Sequence, residues 1–113
     1  MASMSHFAVS VLLALVASST TAAAPICAVD ASEQARKLLA FHVGEGFEDR
    51  MSFEPPSQKA SIRNPANSKQ VFNVLEVEGF VSPHGRYRLR FIFYPLPRGC
   101  LLMGQEILEI ANP

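Results

Sequence analysis

Val71-Phe72-Asn73-Val74-Leu75-Glu76-Val77-Glu78-Gly79-Phe80-Val81, Ser82-Pro83-His84-Gly85, Arg86-Tyr87-Arg88-Leu89-Arg90-Phe91-Ile92-Phe93-Tyr94 is the stretch that decides the fold. Two runs rich in β-branched and aromatic residues flank a Pro-His-Gly punctuation, which is a hairpin signal. A three-residue loop with Pro83 and His84 right-handed and Gly85 at the left-handed bulge position suits that residue order. Such a loop sets Ser82 opposite Arg86, Val81 opposite Tyr87, Val77 opposite Phe91 and Leu75 opposite Phe93 on one apolar face. The other face then holds Phe80 opposite Arg88 and Glu78 opposite Arg90, with Glu76 further along. A two-residue loop sets Glu78 against Leu89 and mixes the faces, so side-chain alternation selects the longer loop.

Toward the C-terminus, Pro95-Leu96-Pro97-Arg98-Gly99 reads as a second turn and Cys100 to Ile110 as a third strand. Leu101 and Met103 alternate on one parity whereas Leu108 and Ile110 lie on the other, so a β-bulge is expected near Gly104. Toward the N-terminus, Arg50 to Glu54 and Lys59 to Arg63 are short alternating runs separated by Pro55-Pro56. Two prolines without N–H donors cannot sit inside a central strand, so both runs are expected at an edge. Before them, Asp30 is placed to cap a helix, with Glu33 reaching back as in a capping box. Ala35, Leu38, Leu39 and His42 share its core-facing side, and Gly44 and Gly46 end it. The expected architecture is α+β: one N-terminal helix packed on a meandering antiparallel sheet of four to five strands.

The 113-residue chain balances ten Lys plus Arg against ten Asp plus Glu, with 49% apolar and 18% charged residues. That composition fits a globular chain and argues against disorder, which needs low hydrophobicity and high charge. The balance is uneven, because the first 29 residues carry no Lys, Arg, Asp or Glu. Phe7 to Val16 is an apolar core that shades into small residues and stops at Pro25, the order of a secretory signal. Residues 1–23 are read as the signal and 24–113 as a single small α+β domain. Cleavage is placed between Ala23 and Ala24, with Thr21 and Ala23 at the small-residue positions; a cut after Ala24 would put Pro25 next to the scissile bond. A later cut after Ala28 is the alternative within this reading and would remove Cys27. The n-region MASMSH lacks Lys and Arg, and an uncleaved membrane anchor is the competing interpretation. The bulky Ile26 before Cys27 is wrong for a lipid-attachment box.

Cys27 and Cys100 are the only cysteines, and after an export signal an even count reads as a disulfide. The pair would close a loop of about 74 residues, a constraint worth on the order of 4 kcal/mol. A mature chain of about 90 residues has a marginal core of its own, so the staple matters. The competing possibilities are a buried thiol at Cys100 with Cys27 lost to late cleavage, or two separate thiols in an uncleaved chain.

The supply of chemistry is thin. Beyond the signal, His42 and His84 are the only histidines. His84 is expected at a hairpin tip, and His42 on the helix where the C-terminal dipole favours it. Glu45, Glu48 and Asp49 lack calcium-loop spacing, no metal-ligand spacing is present, and Gly44 and Gly46 do not form a phosphate loop. No catalytic set, metal or other cofactor is expected. Arg86, Arg88 and Arg90 form a candidate binding face for an unknown protein or acidic ligand, with Arg86 and Arg88 expected to be less neutralised by Glu76 and Glu78. Tyr94, Leu96 and Arg98 form a candidate binding loop, stiffened by two prolines. Zero net charge disfavours nucleic acid as a partner. Membrane contact is expected only through the N-terminal segment before cleavage.

The order of helix then strands is similar to the layout of cystatin-like folds. The glycine and hairpin motifs of a cysteine-protease inhibitor are not at matching positions, so the similarity is one of architecture. The expectation is an exported, periplasmic or extracellular, non-enzymatic binding or inhibitory module. The alternatives are an accessory subunit of an envelope assembly held by an N-terminal anchor, and a small hydrolase using His42 with an acid from Glu45 to Asp49.

Overall fold

A computed structural model describes residues 10–12 and 23–111. Most of the apolar signal run, with Thr21, lies outside the described residues; Ala23 and Ala24 are exposed ahead of the helix.

Helix α1 (Ala28–Val43) is free of internal Gly and Pro and buries Ala31, Ala35 and Leu39, a stripe at four-residue spacing. Two alanines in that stripe bring the helix backbone close to the sheet. The helix starts earlier than the Asp30 capping box predicts: Cys27 is the N-cap, at φ 71°, and no side chain caps the helix. The bond from Cys27 to Cys100 fixes this end, and Ala31 N–H donates to Cys27 C=O at 2.9 Å. Asp30 thus falls inside the first turn, where its charge meets the positive end of the helix dipole. Gly44 ends the helix as expected, with φ 89° and its N–H donating to Ala40 C=O at 3.0 Å. His42 is exposed, not turned into the core. It lies one step beyond the buried stripe, its ring edge-on to Tyr87 with centroids 5.6 Å apart.

The sheet has five antiparallel strands: β1 (Met51–Phe53), β2 (Ser57–Asn64), β3 (Asn67–Val81), β4 (Gly85–Leu96) and β5 (Gly99–Ala111). β3, β4 and β5 form the meander. β1 and β2 lie in line along the other edge of β3, interrupted at Pro55-Pro56, as the prolines require. A tight turn joins β2 to β3, where Ala66 N–H donates to the Asn64 side-chain oxygen at 2.9 Å.

The central hairpin corrects the expected register. Val81 pairs with Gly85, leaving Ser82-Pro83-His84 as the loop, and the partners become Gly79 with Tyr87, Glu78 with Arg88 and Glu76 with Arg90. Gly85 is not in the left-handed region; among the described glycines, Gly44 and Gly46 are. The shift is two residues, so each side chain keeps its face while its partner changes. It sets Gly79, the smallest residue of β3, opposite the large Tyr87. A Cβ at Gly79 would lie 3.0 Å from Leu89 and 3.1 Å from Leu39, so only glycine lets the helix seat here without displacing its neighbours.

The expected bulge in the last strand is present: Ile92 pairs with Gly104 and Phe93 with Leu102, leaving Met103 as the extra residue. Below the helix, Leu75, Val77, Leu89, Phe91 and Phe93 are buried with Leu39, and Leu102, Ile107 and Cys100 close the β5 side. Cys27 and Cys100 are joined with Cα atoms 5.9 Å apart, tying the helix start to the start of β5 across 73 residues of sequence.

Candidate binding faces

Alternation on β4 sends Arg86, Arg88 and Arg90 to the face opposite the helix, and the register then decides their partners. Glu76, whose side chain is only 11% exposed, receives two of them: Arg88 Nε lies 3.1 Å from Oε1 and Arg90 Nη2 lies 3.2 Å from Oε2. Lys59 Nζ approaches the same carboxylate at 4.0 Å from β2. Arg86 pairs with Glu78 at 2.8 Å, and Arg90 also reaches Glu106 on β5 at 3.4 Å. Arg86 and Arg88 are therefore not left unneutralised; each has a carboxylate in contact. Among the described residues the buried Nε atoms of Arg88 and Arg90 nonetheless have no hydrogen-bond acceptor. An open groove of about 440 Å³ runs beside this network, lined by Lys59, Ile62, Val74, Glu76, Arg88 and Arg90. An acidic ligand entering it has to compete with Glu76 for the guanidinium groups.

Lys59 and Glu106 are the members that sequence pattern did not attach to the arginine face. Glu106 faces Arg90 only because of the Met103 bulge, so the bulge signal was its one available pointer.

The second candidate is the β4–β5 turn. Strand pairing runs through Pro95 with Cys100 to Leu96 with Gly99, so the turn narrows to Pro97-Arg98 from the five residues expected. Tyr94 is half-buried, edge-on to Phe72 at 6.1 Å between centroids. Leu96 is 47% exposed, and Leu101 and Met103 on the adjacent strand are each 49% exposed. The disulfide sits directly below, at Cys100.

A third concavity, of about 460 Å³, opens where the helix C-terminus meets the hairpin loop, and His42 and His84 both line it. Its carboxylate is Glu109 from β5; Glu45, Glu48 and Asp49 do not line it, and Glu48 instead accepts the Gly46 N–H at 3.1 Å. The Tyr87 phenol in this cleft is held above its ordinary value of 10.0, first by burial and then by the Glu109 charge. Among the described residues no three His, Cys, Asp or Glu side chains are grouped to hold a metal ion.

No protein family, curated protein or solved structure matches this chain. The sites above therefore rest on their own geometry. Among the described residues no helix is long and apolar enough to cross a membrane. That fact and the disulfide are compatible with an exported protein.

Proposed function

We propose that this protein is an exported, non-enzymatic binding module that contacts a protein partner through the tip of the β4–β5 hairpin. The observation that carries this is the exposure of Leu96 beside a proline-framed turn and of Leu101 and Met103 further along β5, with the turn anchored by the Cys27–Cys100 bond. A stiff, pre-shaped apolar surface loses little conformational freedom on association, which favours binding and inhibition. The arginine face is the weaker candidate, because each guanidinium already holds a carboxylate. Capture of a defined partner from exported fractions, identified by mass spectrometry, tests the proposal. Leu96→Asp is expected to abolish capture while Arg86→Glu combined with Arg88→Glu preserves it; the reverse result moves the site to the arginine face. N-terminal sequencing accompanies this: a start at Ala24 means release, and a start at Met1 favours an anchored accessory subunit.

A further inference from the structure

The cleft between the helix C-terminus and the hairpin loop carries a separate inference. Its lining includes the apolar Phe47, Val81, Pro83 and Tyr87, and its volume of about 460 Å³ falls in the range of small-ligand sites. Its two charged walls come from distant parts of the chain. Arg50 leads directly into β1, and Glu109 lies on β5 opposite Tyr87. The sheet order β1-β3-β4-β5 puts two strands between them, so they stand at opposite ends of the cleft. Glu109, Tyr87, Gly79 and Phe53 lie level across the sheet and Arg50 comes three residues before Phe53, so the two charges are separated both across and along the strands. Among the described residues neither charge has an ion-pair partner, in contrast to the arginines of the opposite face. Arg50 instead rests over the Phe47 ring, 5.7 Å from its centroid. The Glu109 carboxylate is close enough to raise the Tyr87 phenol.

An apolar trough with an uncompensated cation at one end and an uncompensated anion at the other is complementary to a zwitterion of the opposite polarity. We infer that this cleft binds a free, short apolar peptide, with its carboxylate at Arg50 and its ammonium at Glu109. A carboxylate meets the guanidinium through paired, charge-assisted hydrogen bonds, and its apolar side chains cover Phe47 and Tyr87. His42 and His84 also line the cleft and offer hydrogen-bonding groups to the peptide backbone. This site lies away from the β4–β5 tip and does not depend on the proposal made for it.

The test is a titration of the disulfide-bonded protein with Leu-Leu-Leu, followed by NMR at the amides of His42, His84 and Tyr87. Saturable shifts at these positions are expected. Acetylating the amine or amidating the carboxylate of the peptide is each expected to weaken binding by about threefold to fivefold, the size of one exposed charge contact. Arg50→Gln removes the sensitivity to amidation while leaving that to acetylation, and Glu109→Gln does the converse. Both positions are exposed, so folding should survive; if either variant unfolds, the comparison of free with capped peptide on the unaltered protein still decides. Absence of saturable shifts, or equal binding of the doubly capped peptide, overturns the inference.

Discussion

Glu76 on β3 and Arg90 on β4 are direct cross-strand partners, and the Glu76 carboxylate is at once held by Arg88 from the next outward position on the same strand. One nearly buried acid therefore bridges two guanidinium groups on a sheet face where like charges alone would repel. Glu76→Gln is expected to cost about 1–2 kcal/mol, since the arginines are partly solvated and can recover some hydration. Glu78→Gln, which breaks only the exposed pair with Arg86, is expected to change stability by about 0.5 kcal/mol or less. Urea denaturation of the two variants checks the ranking, and a larger effect at Glu78 would contradict it.

Gly79 is the contact point between helix and sheet. Gly79→Ala introduces a methyl group 3.0 Å from Leu89, 3.1 Å from Leu39 and 3.2 Å from Phe53. Overpacking of this kind costs about 1–3 kcal/mol. Because Leu39 is one of the atoms displaced, Gly79→Ala combined with Leu39→Ala is expected to lose less than the sum of the two single changes. Additive losses in a double-mutant cycle would show that the strain is relieved elsewhere.

Replacing Cys27 and Cys100 together by serine removes the link between helix start and β5. The expected loss is on the order of 4 kcal/mol by the chain-entropy account, a large share of the stability of so small a domain. Hydrogen exchange is expected to rise first at Ala28 to Ala31, where the helix has no side-chain cap to hold it. Unchanged protection there would mean that packing of Ala31 and Ala35 suffices.

Tyr87 gives an alkaline signature. Its phenol titrates above 10.0 in the fold, chiefly through burial, so the folded state holds the proton more tightly than the unfolded chain. The associated stability is complete below that ordinary value and is lost as pH rises through the folded-state titration. Tyr87→Phe is expected to remove this alkaline loss. Glu109→Gln is expected to lower the phenol titration only in part, because burial is the larger cause; ultraviolet titration of the phenolate measures both.

Much of this fold follows from the chain pattern. Ala35 and Leu39 mark the helix face, Pro55-Pro56 breaks the edge strand, and the parity change between Met103 and Leu108 signals the bulge. These are local features, fixed by helical and strand periodicity and by the missing N–H of proline. The disulfide partners were also legible, since two cysteines admit one pairing.

What the sequence by itself determined was which side chains share a face. What only the tertiary structure decided was which of them meet. Alternation has a period of two, so the registers that pair Glu78 or Glu76 with Arg90 are indistinguishable by pattern; room for Leu39 above Gly79, with Tyr87 across from it, separates them. The cleft is likewise invisible along the chain. The His42–Arg50 segment, His84 and Glu109 come from three separate stretches of the chain and meet only when β1 and β5 take their places on either side of the central hairpin beneath the end of the helix.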